Sequence, residues 1–286
     1  GVTAGTVTDA TATSLTVNGS GANSSLTAIS AAAATSVTFT GDKTIASAGE
    51  TFTAATAITS TNSSGVTLGT AIGTAVTYNG TDSAGVDTIT LGASTVATTT
   101  GAGDDVVTIG VAALGTGGSV DAGAGTGDTL KMSGANAATA TASTTASAKV
   151  AGQISGFEKA HITGFTNQTV DLALLDNISY VTTAGSGATS TLSNIASGGT
   201  VIDTDLNGTG FTVSVVGSGA SSTDSLNWIQ TGAAGFDGGL LTVDGVETLN
   251  ITGTDSTTAT ITAHTLAVDA DAVKAIVVTG NSGIIL

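Results

Sequence analysis

The sequence predicts an all-β protein built as a parallel β-solenoid, a β-roll or right-handed β-helix. Three observations carry that reading. Gly-rich turns ending in aspartate recur between Asp82 and Leu130: DSAGVDTI (82–89), TGAGDDVV (100–107) and the less regular DAGAGTGDTL (121–130). Thr and Val alternate throughout, punctuated by Gly, Asn and Asp, which is the pattern of short strands and turns. The 286 residues contain no proline, so every residue can donate a backbone hydrogen bond to a ladder.

Residues 1–79 supply the opening coils. TSLTVNGSG (13–21), TSVTFTGDK (35–43) and TAVTYNGTD (74–82) each run from strand into a glycine turn and read as successive coils of one solenoid.

Residues 80–132 form the most regular segment. Each turn is a version of the nonapeptide G-G-x-G-x-D-x-U-x, six residues of tight turn and three of strand with an inward apolar U. Asp87 and Asp105 are separated by two nine-residue units, which places both on one edge of the roll. Ile89, Val107 and Leu130 each follow their aspartate by two positions, so an apolar stripe runs in the same register. Gly85, Gly101 and Gly103 are expected to turn through φ > 0 and to aim carbonyls into the gap between coils. With Asp87 and Asp105, and with Asp82 and Asp104 beside them, they make an all-oxygen cage suited to Ca2+. LGASTV (91–96) and IGVAAL (109–114), half a turn away, hold no aspartate, so binding is expected along one edge. The third turn is out of step, since 128 − 105 = 23: either an insertion loops out or the roll ends there, with Asp121 as the alternative to Asp128. A metal-free series of Gly/Asp turns is the competing reading.

Residues 133–286 read as further solenoid. ISGFEKAHITG (154–164) matches VDGVETLNITG (243–253) at an offset of 243 − 154 = 89, with DTLKM (128–132) and DSLNW (224–228) ahead of them. Two modules of roughly 90 to 100 residues follow, each completed by its neighbours. Glu158 and Glu247 occupy equivalent places, as calcium ligands, intersubunit contacts or solvated turn carboxylates. DLALLD (171–176) is the one segment expected to form a short helix or turn.

Composition restricts function. Aromatic residues are only 3% against 40% hydrophobic, which favours a thin repetitive core over a large enzyme core. The net charge of −16 and the absence of arginine exclude phosphate backbones and anionic lipid as natural partners and favour divalent cations. No cysteine is present, and no apolar run approaches a membrane span. The chain opens at Gly1 with no visible amino-terminal signal, which is the expectation for a mature or excised piece of something longer. Folding is expected once millimolar calcium is met outside the cell.

The run from TAVTYNGTD to DAGAGTGDTL, with GVETLNITGTD and AVKAIVVTGNSGIIL downstream, resembles the calcium-binding RTX region of Caulobacter-type surface-layer proteins. The likeness covers about residues 70 to 286. It implies export by a type I pathway and assembly with copies of itself into a calcium-dependent two-dimensional sheet on the cell surface. Contact with cell-surface polysaccharide would fall to a region outside this sequence. Ligand roles carry over to Asp87 and Asp105 with their glycines, and more weakly to Asp121, Gly123, Gly125 and Asp128. Ser83 and Thr100 stand where the repeat has glycine, and Gly127 is extra.

Rival readings are a secreted RTX-type adhesin binding glycans or host proteins, and a β-helix polysaccharide-degrading enzyme. The second lacks the aromatic platforms and basic groups that acidic sugars require. No H-E-x-x-H or G-x-S-x-G occurs, and His161 and His264, far apart in the chain, read as surface or packed histidines. A non-enzymatic structural role is the expectation.

Overall fold

The computed structural model describes residues 3–143, 152–184, 189–204, 210–218, 223–233, 235–257 and 261–286. Strands hold 49% of the chain and helix 4%, which establishes the all-β class, and the strands stack as a parallel β-solenoid of about 12 turns. Two compact units divide it: Gly1–Lys131 with Ala151–Phe157, and Met132–Val150 with Glu158–Leu286. The predicted opening coils and the predicted RTX-like segment thus fall together in the first.

Coils form in the first unit because each carries two short apolar-alternating runs separated by glycine turns. One parallel sheet takes Thr3–Thr8, Ser24–Ser30, Ile45–Ser47, Val66–Leu68, Thr88–Leu91, Val106–Ile109 and Thr129–Ser133. The other takes Ser14–Gly19, Ser36–Gly41, Ala57–Ser60, Thr77–Asn79, Ala97–Thr99, Ser119–Asp121 and Ile154–Ser155. The three strand-then-glycine segments read from the opening coils all lie in this second sheet.

Register follows the alternation, because a slip of one residue would carry a whole apolar set from core to solvent. Leu15, Val37, Ile58, Tyr78, Thr98, Val120 and Ile154 form one column across the second sheet. In the first sheet Ile89, Val107 and Leu130 are paired in line and buried. Among the described steps of the first unit, a whole number of nine-residue units is met from Thr88 to Val106, where 106 − 88 = 18. Neighbouring steps are longer: 57 − 36 = 21, 119 − 97 = 22 and 129 − 106 = 23. The surplus residues go into the turns while the strands stay in step.

In the second unit Lys159–Thr163, Tyr180–Ala184, Thr200–Asp203, Ser225–Gly232, Thr248–Asp255 and Ala275–Gly280 pair in parallel. So do Thr169–Asp171, Ser190–Ile195, Phe211–Val215, Asp237–Asp244, His264–Asp269 and Ile284–Ile285. The column Ala160, Val181, Val201, Trp228, Ile251 is buried throughout. The core is less uniformly aliphatic than composition implied. Phe165, Phe211 and Trp228 stack with ring centroids 5.8 and 5.4 Å apart, so the few aromatics are concentrated rather than scattered.

The internal repeat between ISGFEKAHITG and VDGVETLNITG is structurally real at the strand level, since Ala160 and Leu249, and Ile162 and Ile251, are equivalent inward positions. Its first copy is divided, with Ile154–Ser155 in the first unit and Lys159–Thr163 in the second. DLALLD supplies a single 3-10 turn, Leu172–Leu174, started by Asp171, whose side chain accepts from the Ala173 N–H. Gly134–Ala140, not expected from the sequence, is an α-helix capped by the Ser133 hydroxyl.

Replacing Ile89 by Ala leaves a cavity between coils and is expected to cost about 2–5 kcal/mol in urea unfolding. Thr90→Ala, on the half-buried face of the same strand, is expected to change stability by less than about 1 kcal/mol.

Candidate metal centre

Asp87, Asp105 and Asp128 each stand immediately before a strand of the first sheet and are fully buried. They continue an inward column that is apolar at Ile45 and Val66. Burying a carboxylate is costly unless it is hydrogen-bonded, and here the compensation comes from peptide N–H groups of the preceding coil. Val66 N–H donates to Asp87 Oδ1 at 2.9 Å, Asp87 N–H to Asp105 Oδ1 at 2.6 Å, and Asp105 N–H to Asp128 Oδ1 at 2.6 Å. In return, Val106 N–H donates to the Asp87 carbonyl at 2.8 Å and Thr129 N–H to the Asp105 carbonyl at 2.7 Å. Side chain and main chain thus form a staircase that joins successive coils.

Rungs differ in what their second oxygen does. Tyr78 O–H donates to Asp87 Oδ2 at 2.8 Å, so both oxygens of Asp87 are committed. The Thr100 hydroxyl has one proton and gives it to the Ala122 carbonyl at 2.9 Å, which leaves Asp105 Oδ2 buried without a donor among the described residues. Burial pushes the Asp87 and Asp105 carboxyls up to about 6, against the lowering effect of their N–H donors and, at Asp87, of the Tyr78 hydroxyl.

The third turn follows the looped-out insertion, one of the two readings the spacing allowed. Asp128 is in step, because the extra residues are absorbed between Gly123 and Gly127 and Thr129 pairs with Val106. Asp121 is no alternative to it: it ends a strand of the other sheet, is exposed, and accepts from Gly123 N–H at 3.1 Å. Asp82 and Asp104 are exposed as well, and Asp104 Oδ1 accepts from Thr126 N–H at 3.1 Å. Between residues 82 and 128 the acidic residues therefore separate into a buried set of three and an exposed set. Among the described residues, no three His, Asp or Glu side chains come together as a metal-holding group.

Glycine is required here for two different reasons. Gly101 and Gly123 sit at φ of 122° and 99°, as a left-handed turn demands. Gly85 and Gly103, expected to share that conformation, do not: they are glycine because a Cβ would strike the neighbouring coil, Gly65 N at the first and the Gly85 carbonyl at the second. At Gly125 a Cβ would collide with the Gly103 carbonyl and with Asp128 Oδ2, and would stand 2.7 Å from Asp128 Oδ1. The missing side chain keeps open a gap lined by one carbonyl and one carboxylate.

These residues fit a hard divalent cation at one place and not at another. Around Asp105 and Asp128 there is a buried carboxylate oxygen with no donor and a glycine-kept gap between oxygens, the ligand chemistry of Ca2+. Asp87, with both oxygens engaged, does not offer a free ligand. Ser83 and Thr100 replace the repeat's glycines productively: the Ser83 hydroxyl donates to the Asn62 carbonyl at 2.9 Å, as Thr100 does to Ala122.

The sequence missed three participants. Tyr78 was read only as a strand residue, although it donates to Asp87. Asn62, fully buried, accepts from Ser64 and Gly65 N–H and donates to the Thr40 and Lys43 carbonyls, which closes the turn before the first carboxylate rung. In the second unit Asp224 N–H donates to Glu247 Oε2 at 2.8 Å, and Glu247 N–H to the Asp224 carbonyl at 3.1 Å. Glu247 is thus a buried rung of the same kind, not a solvated turn carboxylate, whereas Glu158 at the matching repeat position is exposed. For Asp224 and Glu247 the signal was an acidic residue directly before a strand.

No protein-family model matches the chain, and no curated protein matches it in sequence. The functional reading rests on the geometry above.

Asp105→Ala removes the acceptor of the buried Asp87 N–H and is expected to cost about 1–3 kcal/mol even in chelator. Asp105→Asn keeps that acceptor and is expected to cost less, so urea unfolding of the pair separates the structural bond from the charge. With metal removed, both raised carboxyls make the folded first unit bind protons more tightly than the unfolded chain, whose aspartates titrate near about 3.9. Stability from this source is complete below that value and is lost as pH rises through about 6. Hydrogen exchange in chelator is expected to show Thr88–Leu91 and Val106–Ile109 better protected near about pH 5 than near about pH 7.5 after correction for intrinsic rates.

Proposed function

We propose that the chain is a structural segment of a bacterial surface layer, a calcium-dependent protein lattice outside the cell, and that its role is mechanical rather than catalytic. The observation that carries this reading is the buried Asp105 Oδ2, without a hydrogen-bond donor, one rung from the glycine-kept gap at Asp128. A calcium ion would be held by Asp105, Asp128 and carbonyls of the glycine turns. When bound, it supplies positive charge that neutralises neighbouring carboxylates.

The chain's own residues do the rest. The staircase through Val66, Asp87, Asp105 and Asp128 ties each coil to the next, so neutralising one rung stiffens the row. A net charge of −16 makes metal-free copies repel, and divalent cations reduce that repulsion. Self-association as the partner mode is supported by the strand Ala275–Gly280, exposed along its length, with Ile276, Val277 and Val278 each more than two-fifths exposed. No helix among the described residues is long and apolar enough to cross a membrane.

Calcium titration followed at once by circular dichroism and light scattering tests the proposal. Ordering of β-structure in the millimolar range, followed by scattering from ordered sheets visible by electron microscopy, is the expected outcome. Identical spectra, melting and scattering in calcium and in chelator would overturn it. Asp105→Asn is expected to weaken the calcium response several-fold.

A further inference from the structure

The second unit contains a polar row in its core that the metal reading does not use. At the position where Lys159–Thr163 places Ile162, the following coils place Thr183, Asp203, Gln230 and then Gly253. Thr183, Asp203 and Gln230 are buried. Gly253 is glycine because a Cβ there would stand 2.6 Å from Ser282 Oγ and 2.8 Å from Ile284 Cδ1. Gln230 crosses between the sheets, where its amide nitrogen reaches the Thr265 carbonyl at 3.3 Å. The adjacent residue is His264, fully buried, with its ring 5.4 Å from that of Phe236.

Among the described residues, neither ring nitrogen of His264 has a hydrogen-bond partner, and neither does Gln230 Oε1 or Ser282 Oγ. A neutral imidazole tolerates this at a moderate cost, but an imidazolium would be a buried cation against the Phe236 ring, with no acceptor on either nitrogen among the described residues. The carboxylate that acts electrostatically on it is Asp255. Its oxygens are committed: Oδ1 accepts from Thr257 N–H at 2.7 Å and from the Thr257 hydroxyl, and Oδ2 from Thr262 N–H at 3.0 Å. Asp237 accepts from the Thr265 hydroxyl at 3.0 Å and from Gly239 N–H at 3.1 Å. Asp244 and Asp269 lie at the far ends of their strands, and Ser225–Gly232, Ala275–Gly280 and Ile284–Ile285 carry no titratable side chain.

We propose that His264 is an acid-sensitive latch: neutral, it closes the coils from Asp237 to Ile285, and protonated, it opens them while the first unit stays folded. The direction of its titration agrees, since burial lowers the His264 pKa and Asp255 only partly offsets this. A depressed folded pKa means that the unfolded coils bind the proton first. Stability from this residue is complete above the ordinary histidine value and is lost as pH falls below it.

The test is hydrogen exchange of the full chain from about pH 7.5 to about pH 5.5 at fixed calcium, corrected for intrinsic rates. About one unit below the ordinary histidine pKa, the opening equilibrium of His264–Asp269 and Ile284–Ile285 is expected to rise roughly tenfold. Ile89, Val107 and Leu130 should keep their protection. His264→Gln and His264→Phe should flatten the dependence, and His161→Gln should not. An unchanged wild-type profile, or the same rise in both His264 variants, overturns the proposal. Should either variant fold poorly, the wild-type imidazole resonance decides: titration at an ordinary midpoint with the strand still protected would refute the latch.

Discussion

The constraint on which the first unit depends is that a carboxylate withdrawn from water needs donors, and the donor common to every rung is a peptide N–H of the neighbouring coil. That requirement fixes several other features together. The aspartate must stand just before its strand, where its side chain points into the core while its own N–H points at the next carboxylate. The turn ahead of it must be tight, so Gly101 and Gly123 adopt left-handed geometry. Nothing bulky fits above it, so Gly85, Gly103 and Gly125 lack a side chain for steric reasons. The result is a row in which main chain and side chain serve the same junction.

A buried anionic row is also intrinsically unsatisfied. The first rung is relieved by Tyr78, whose hydroxyl occupies the oxygen that the N–H does not. At Asp105 no such donor is present. Protons and cations compete for that oxygen, which is why one physical arrangement underlies both the pH response and the proposed calcium response of the first unit. The second unit repeats the device once, with the longer Glu247 in place of aspartate.

Much of the fold was legible in the sequence because its period is local. Two-residue alternation assigned Ile89, Val107 and Leu130 to the core, and the strand-then-glycine segments ending at Gly21, Lys43 and Asp82 marked the opening coils. The site was legible in part. Asp87, Asp105 and Asp128 were found, and the step of 23 residues marked an insertion before Asp128 without showing whether it loops out, since coil length is set by the turn and register by the strand. Asp82, Asp104 and Asp121 look equivalent to the buried three by composition alone. Only the parity of the strand that follows shows which carboxylate turns inward. Tyr78 and Asn62 were invisible because their partners, Asp87 and the Thr40 carbonyl, lie at separations that reflect coil geometry rather than any motif.

Coil length varies widely while the strands stay parallel, with register shifts only at Leu192/Ile195 and Asp237/Leu240 among the described pairs: one short step runs from Thr88 to Val106, and a far longer one from Thr200 to Asn227. A scaffold whose strands stay paired while its turns lengthen is a natural carrier of passenger sequence. Foreign epitopes or enzymes spliced into such bends would be displayed at one-coil intervals, spaced by the peptide ladder itself, with the pairing between coils left untouched.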